Sequence, residues 1–151
     1  VVLTFMKRRI NFLFPYNTWG GAFRSTYVLS NYLIEKGWDV TITFPIIPPR
    51  NGYKYLSKKW IFSKLTGVIR SLLRRTKIRM FCKAKIICIP WISSFWIKDS
   101  DFIIANHWNT INDVYNLNQN CGKKIIYIRD ISEWEYYFEK ELEALKLPIY
   151  K

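Results

Sequence analysis

The hydrophobic positions of this chain fall into short runs that alternate with longer amphipathic stretches. The short runs are rich in β-branched and aromatic residues and are bounded by proline or polar turn residues, which is typical of strands. They predict five strands, over residues 9–14, 38–44, 85–89, 101–105 and 124–128. The stretches between them predict helices over residues 22–36, 58–75 and 106–120, with a last helix that begins near Ser132.

This alternation of strands and helices predicts the fold class. Strands that alternate with helices form a parallel sheet, in which each helix crosses over to the next strand in the right-handed sense. We therefore expect an α/β fold, a Rossmann-like parallel sheet with helices on both faces. Gly37 is placed to end the first helix in the left-handed conformation. The apolar positions of that helix are Phe23, Val28, Leu29, Tyr32 and Leu33.

The loops at the carboxyl ends of the strands hold the candidate functional residues, because open parallel sheets bind ligands beyond those ends. Gly20 and Gly21 join the first strand to the first helix, where bare main chain and the first helical amides favour a phosphate or a carboxylate. Arg24 opposes the helix dipole, which would suit an anionic ligand; a tight turn and an exposed arginine explain the same residues without one. The loop matches neither GxGxxG nor GxxxxGK[ST], which disfavours a dinucleotide site and a P-loop.

Two further loops carry polar candidates. His107, the only histidine, directly follows the fourth predicted strand and could act as a base toward a hydroxyl, although packing beside Trp108 is the favoured explanation. Arg129, Asp130 and Glu133 follow the fifth strand and could bind a polar acceptor, or Asp130 could favour the start of the last helix. No Ser-His-Asp set and no metal-ligand spacing is present, so we expect no metal.

The net charge of the chain is confined to one segment. The chain has 24 Lys and Arg against 11 Asp and Glu, a net charge of +13, and residues 40–98 hold thirteen basic residues and no acidic one. A confined basic segment predicts one surface that faces something anionic: lipid headgroups, nucleic acid or a phosphorylated substrate. The helix predicted over 58–75 is amphipathic, with Trp60 and Phe62 beside lysines, which favours contact with an anionic membrane over a merely solvated face.

The overall composition excludes several protein classes. Half of the 151 residues are apolar and 18% are aromatic, which supports a packed core and excludes general disorder. No apolar run approaches the roughly 20 residues that a membrane-spanning helix needs. Cys82, Cys88 and Cys121 lie singly, which fits reduced cytosolic thiols and suggests neither a disulfide framework nor a zinc site.

Three strings of the chain resemble GT-B glycosyltransferases of family 4. Residues 10–40 resemble the opening of that family: a strand (INFLFP), a Gly-Gly loop (GGAFR), a helix and a Gly-His-x-Val entry to the second strand, with Trp38 in place of the histidine. Residues 101–110 (DFIIANHWNT) are similar to the D-V-V-I-A-T-x-W-x-T segment of the rhamnosyltransferase-like branch. Residues 127–133 (YIRDISE) resemble its Y-F-I-Q-D-x-E segment, with Arg129 in place of glutamine.

The resemblance implies an acceptor-side, Rossmann-like domain over residues 6–151, preceded by a non-native or upstream extension over 1–5 and truncated before the nucleotide-sugar-binding domain. It implies transfer of a sugar from a nucleotide-sugar to a hydroxyl in cell-surface polysaccharide or glycolipid synthesis, with no cofactor. The family has its histidine one position earlier, where Asn106 stands here. The resemblance implies that the donor phosphate binds at Gly20, Gly21 and Arg24 and that His107 is catalytic. It also implies that the acceptor binds at Asn106, Arg129, Asp130 and Glu133.

The expected partners follow from the same reading. They are a nucleotide-sugar, a glycan or polyprenyl-linked acceptor, an anionic membrane surface bound through residues 50–85, and the missing C-terminal domain; no nucleic acid is expected. The location would be cytoplasmic, at the inner face of the membrane, and the chain alone would be inactive. The alternative is a non-enzymatic basic module for a membrane surface or nucleic acid, because basic residues interleaved with aromatics suit both.

Overall fold

The computed structural model describes residues 7–16, 20–47, 81–97, 100–127 and 146–149. In this part of the chain the strand bounds agree with the predicted ones to within two residues. The helices predicted over 58–75 and from Ser132 onward lie outside the described residues. The described elements are β1 (Arg9–Leu13), α1 (Gly21–Glu35), β2 (Asp39–Pro45), β3 (Lys85–Ile89), β4 (Phe102–Ala105), α2 (Trp108–Tyr115) and β5 (Lys123–Ile126).

The five strands form one parallel sheet in the order β3-β2-β1-β4-β5. In β1, Ile10 lies beside Val40 of β2 and beside Phe102 of β4. The chain first adds β2 and β3 on one side of β1 and then returns to add β4 and β5 on the other side. This arrangement confirms the predicted Rossmann-like α/β fold, and it places the reversal of strand order between β1 and β4.

Two hydrophobic cores lie on opposite faces of the sheet, because successive side chains of a strand point to opposite sides. Phe12 of β1 and Phe23 of α1 belong to the first core, and Leu13 of β1 and Val114 of α2 belong to the second. Helix α1 therefore covers one face and α2 covers the other, as predicted. The first core is ordered by edge-to-face packing of Phe14 on Phe23 and on Phe44.

The face that α1 buries differs from the predicted one. Val28 and Tyr32 are 69% and 54% exposed, whereas Thr26 and Ser30 are fully buried. Small hydroxyl side chains allow the helix to lie close to the sheet, and hydrogen bonds compensate their burial. The Ser30 hydroxyl donates to the Thr26 carbonyl at 2.7 Å, one turn earlier in the helix. Of the predicted apolar positions, Phe23 is buried and Leu29 and Leu33 pack at the edge of the first core.

Gly37 ends α1 as predicted. Its φ of +87° lies in the left-handed region, which L side chains rarely adopt. The amide of Gly37 donates to the carbonyl of Ile34 at 2.9 Å, and the amide of Trp38 donates to that of Leu33 at 3.0 Å. This pair of hydrogen bonds is a Schellman motif, which satisfies two carbonyls at the end of the helix and turns the chain into β2.

Helix α2 is shorter than the predicted span of 106–120. It ends at Tyr115, and a single 3-10 turn follows over Gln119–Cys121. Gly122 then enters β5 with a φ of +124°, and a β-carbon there would lie 2.5 Å from the carbonyl oxygen of Ser100. The close passage of the Ser100 main chain therefore requires a glycine at this position.

A buried polar pair joins β1 to β2. The hydroxyl of Thr43 donates to the side-chain oxygen of Asn11 at 2.8 Å, and both residues are buried. Because Ile10 and Phe12 belong to the first core, Asn11 lies on the opposite side of the strand, the side of Leu13 and α2.

Candidate functional site

The predicted donor and catalytic residues lie at one edge of the sheet. All strands are parallel, so their carboxyl ends share this edge, and β1 and β4 are direct neighbours. Gly20 and Gly21 follow β1, and Asn106 and His107 follow β4. These two loops therefore flank the reversal of strand order, which is where open α/β sheets bind ligands.

Tyr16 shows that the two loops are in contact. Its ring centroid lies 5.8 Å from that of Phe23 in the first turn of α1, and 6.4 Å from that of His107 beyond β4. Tyr16 is 44% exposed, so the aromatic bridge lies at the surface. Tyr16 is not among the residues that the sequence predicts for the site; its position directly after the Pro15 that closes the first strand is the signal that could have found it.

The glycine pair forms the open start of α1. Gly20 is the N-cap residue, no side chain caps the helix there, and its φ of −61° and ψ of 163° are extended backbone that any residue adopts. Both glycines are exposed. A β-carbon at Gly20 would be in ordinary contact with Phe23, 3.7 Å away, and one at Gly21 would meet no atom within 4 Å. Neither the backbone nor packing among the described residues requires a glycine here.

Arg24 is placed close to this helix start. Its amide donates to the carbonyl of Gly20 at 3.1 Å, which makes it the first residue with a full helical hydrogen bond. Its side chain is exposed, and the first turn of α1 contains no acidic residue. The cation and the positive end of the helix dipole therefore act on the same region of solvent.

Asn106 is held between β1 and α1. Its amide donates to the carbonyl of Leu13 at 3.1 Å, and its side-chain oxygen accepts the hydroxyl proton of Thr26 at 2.9 Å. Asn106 is only 5% exposed, and its side-chain nitrogen has no hydrogen-bond partner among the described residues. A buried amide without a partner is costly, so a polar group that reaches this nitrogen is stabilised there. The bond from Thr26 spans 80 residues, and no local pattern in the sequence predicts it.

His107 has a structural role as the N-cap of α2. Its Nδ1 accepts a hydrogen bond from the amide of Asn109 at 3.3 Å, and its carbonyl accepts the amide and the hydroxyl of Thr110 at 2.9 and 2.7 Å. The ring also lies 5.8 Å from that of Trp108, which matches the favoured packing explanation. With Nδ1 acting as acceptor, the neutral imidazole carries its proton on Nε2. In this state the ring donates at Nε2 and cannot take up a proton there.

A second unpartnered atom lies in the first turn of α2, two residues after this cap. The side-chain oxygen of Asn109 is buried and has no hydrogen-bond partner among the described residues. Asn106 thus offers a buried donor and Asn109 a buried acceptor, on the two sides of His107 in the sequence. Both atoms are shielded from solvent, so a hydroxyl group would pair with either one only if it reached that buried position, where it could both donate and accept.

Several predicted features fall outside the described residues. Arg129, Asp130 and Glu133 do so, and of the basic segment 50–85 only residues 81–85 are described. No described helix is long and apolar enough to cross a membrane. In the described ranges no three His, Cys, Asp or Glu side chains are grouped so that they could hold a metal ion.

Comparisons with known proteins give no match: no family model fits the chain, and no curated protein or solved structure is significantly similar to it.

Proposed function

We propose that this chain is the acceptor-side domain of a GT-B glycosyltransferase of family 4, which transfers a sugar from a nucleotide-sugar to a hydroxyl in cell-surface polysaccharide or glycolipid synthesis. One observation carries the proposal. The Gly20-Gly21 loop and the Asn106-His107 loop, which resemble separate family segments, lie at the carboxyl ends of the neighbouring strands β1 and β4. Both therefore face the position at which the strand order reverses.

The donor phosphate is assigned to the start of α1. In the transfer, the acceptor oxygen forms a bond to the anomeric carbon while the bond from that carbon to the phosphate oxygen breaks. The departing nucleoside diphosphate takes the bonding electron pair, and its phosphate oxygen accepts the proton that the acceptor hydroxyl loses. The amides of Gly21 and Ala22 are free of intrahelical partners by their position in the helix, and Arg24 adds a positive charge. The openness of both glycines supports the assignment, because the phosphate can approach the main chain without a steric obstacle.

The acceptor is assigned to the loop after β4. The unpartnered nitrogen of Asn106 would donate to an acceptor oxygen, and His107 would donate from Nε2 while it caps α2. To act as a general base, His107 would have to carry its proton on Nδ1 and give up the hydrogen bond from Asn109. Arg129, Asp130 and Glu133 complete the proposed acceptor site, and the basic segment 50–85 would hold the domain at the cytoplasmic face of a membrane that carries the acceptor.

Amide chemical shifts of the isotope-labelled chain provide the test. We expect titration with uridine, guanosine and thymidine diphosphate sugars to shift the amides of Gly20, Gly21 and Ala22, while the distant amides of Gly37 and Gly122 stay in place. Arg24→Ala should weaken this binding several-fold, whereas Lys36→Ala, the same change of charge at the opposite end of α1, should not. Shifts elsewhere without any at the glycine pair, or equal effects of the two variants, would contradict the donor site.

A further inference from the structure

A run of amide side chains lies in the turn that joins α2 to β5. Four of the five residues 116–120 are asparagine or glutamine, and all four are exposed. They border a shallow concavity of about 770 Å³, which we name the amide groove; its polar and aromatic lining consists of Tyr115, Asn116, Asn118, Gln119, Asn120 and Lys124. Because α2 starts at the carboxyl edge of the sheet, the groove lies at the amino edge, away from Gly20 and His107.

The side-chain amides of the groove are available to a ligand. Within the described ranges the side chains of Asn116, Asn118 and Gln119 make no hydrogen bond, and that of Asn120 meets only the thiol of Cys121, at 3.9 Å. Asn118 precedes the 3-10 turn without capping it through its side chain. Each amide group offers two donors and an oxygen that accepts twice. The groove therefore presents several neutral hydrogen-bonding groups that the described fold does not use.

The turn holds these side chains in a defined arrangement. Leu117 and Cys121 are 5% and 1% exposed and belong to the second core, so the turn is anchored at two points. The main-chain amide of Asn118 donates to the hydroxyl of Ser94 at 2.8 Å, and that of Cys121 donates to the carbonyl of Asn118 at 3.1 Å. A ligand would meet a main chain that is already ordered, which lowers the entropic cost of binding.

Lys124 determines which charge the groove accepts. Its ammonium group donates to the carbonyl of Tyr115 at 2.6 Å and to that of Leu117. These carbonyls lie at the negative end of the α2 dipole, so the ammonium already occupies the position that would attract a cation. The same two bonds engage the ammonium and reduce its attraction for an anion, and no carboxylate lines the groove. The groove therefore suits an uncharged ligand.

Tyr115 adds an aromatic surface to this polar lining. Its ring is 38% exposed, and the ammonium of Lys124 lies 5.9 Å from its centroid, a cation–π contact that steadies the ring. A sugar ring carries hydroxyl groups at its edge and carbon–hydrogen bonds on its faces. The hydroxyl groups both donate and accept, as amides do, and the carbon–hydrogen faces can pack on an aromatic ring.

We propose that the amide groove binds a neutral oligosaccharide. A wholly apolar ligand is unsuited to it, because such a ligand would bury the amides without partners. The proposal goes beyond the transferase proposal and does not depend on it. The groove lies at the amino edge of the sheet, whereas the donor and acceptor sites are assigned to the carboxyl edge.

The side-chain amide signals of the isotope-labelled full chain provide the test. We expect at least one of maltotetraose, cellotetraose, mannotetraose and chitotetraose to shift the signals of Asn116, Asn118 and Gln119, equally at low and high salt because no charge is involved. Asn118→Ala and Gln119→Ala should each weaken this binding about fivefold through lost hydrogen bonds. The matched control is Asn112→Ala, which removes the same group from α2 outside the groove and should bind as the unmodified protein does.

Two variants of Tyr115 test the aromatic contribution. Tyr115→Leu should weaken binding several-fold, whereas Tyr115→Phe keeps the ring and should bind as the unmodified protein does. Thermal unfolding of Asn118→Ala and Gln119→Ala should match that of the unmodified protein, since neither side chain bonds within the described fold.

Three outcomes would each overturn the proposal. They are the absence of shifts with all four oligosaccharides, equal losses in the groove and control variants, and salt-dependent binding of inorganic phosphate at the groove in place of sugars. The titration of the Gly20 amide with nucleotide-sugars should be the same in the groove variants. Failure of one proposal is therefore distinguishable from failure of the other.

Discussion

The hydroxyl of Thr26 donates a hydrogen bond to the side-chain oxygen of Asn106 at a distance of 2.9 Å. Thr26 lies in the second turn of α1, and Asn106 directly follows β4, so this bond joins the two halves of the candidate site. It is also the one hydrogen bond between side chains that the described residues provide to Asn106, whose other polar atom is buried without a partner. The geometry of the site therefore depends on a small buried polar contact.

Replacement of Thr26 tests this contact. We expect Thr26→Val to lower the free energy of unfolding by about 1–3 kcal/mol, because the whole amide of Asn106 is then buried without a partner. Thr26→Ser keeps the hydroxyl and should cost less. Urea denaturation of both variants measures the difference. Combining Thr26→Val with Asn106→Leu should cost less than the sum of the two single changes, and additive costs would contradict a direct bond.

The Gly21→Ala variant distinguishes the contribution of Gly21 to the stability of α1 from its proposed contribution to ligand binding. A β-carbon at Gly21 meets no atom within 4 Å, so the variant should fold with equal stability or gain up to about 1 kcal/mol from its more restricted unfolded chain. The same methyl group should hinder a phosphate that approaches the amide, and should weaken nucleotide-sugar binding several-fold. Thermal unfolding and the amide titration measure the two effects. Unchanged affinity would argue against main-chain contact with the phosphate.

His107 is expected to matter for stability through its cap. His107→Ala removes the acceptor for the amide of Asn109 and should cost about 1 kcal/mol. His107→Asp supplies a better N-cap acceptor and should restore or exceed the original stability. Chemical denaturation of the two variants measures this directly. Equal stabilities of the alanine and aspartate variants would show that the imidazole is needed for packing with Trp108 and not for capping.

Two glycines with positive φ allow conformational strain to be distinguished from steric exclusion. Gly37→Ala introduces a methyl group into open space, so its cost should be that of the left-handed conformation alone, about 1–2 kcal/mol. Gly122→Ala adds a clash with the carbonyl of Ser100, 2.5 Å from the new β-carbon, and should cost clearly more, above about 3 kcal/mol. Denaturation midpoints of the two variants provide the comparison. Similar losses of stability in the two variants would mean that the Ser100 main chain moves away from the new methyl group at little cost.

The buried thiol of Cys82 should make the free energy of unfolding depend on pH in the alkaline range. Burial raises the pKa of its thiol above the ordinary value of 9.0, and a hydrogen bond from the backbone of Ala84 opposes this in part. In the unfolded chain the thiol loses its proton as the pH passes 9.0, while the folded protein still holds it, so stability falls with rising pH. Cys82→Ala should flatten this slope between about pH 8 and 10, although it lowers stability overall. Identical slopes would exclude the contribution of Cys82.

The strands were predictable because local signals determine them. Strand β3 agrees with its predicted bounds, since an apolar run there is closed by Pro90, and α1 ends where Gly37 offers a left-handed residue. The sequence also placed Gly20 and His107 at the same edge, because β-to-α loops of a parallel sheet share one edge. That inference needed only the order of the elements.

The remaining features depend on tertiary contacts. The apolar pattern of α1 suggested that Val28 and Tyr32 are buried, but close approach to the sheet selects Thr26 and Ser30 in their place. Histidine is not among the preferred N-cap residues, so the cap at His107 had no sequence signal. Helix α2 ends at Tyr115, where the ammonium group of Lys124 in β5 donates to the carbonyls of Tyr115 and Leu117. Neither this contact nor the proximity of Ser100 to Gly122 has a local signal in the sequence.

The buried pair of Asn11 and Thr43 has a consequence for how the sheet assembles. A shift of β1 by one residue along β2 would rotate Asn11 to the side of Phe44, where an amide finds no partner among aromatic rings, and would break its bond to Thr43. A misaligned pair of strands would therefore bury an amide without a partner. Two neighbouring strands that are both strongly apolar would otherwise have little to distinguish one alignment from the next. The single polar contact between Asn11 and Thr43 therefore helps to select the native register of β1 and β2.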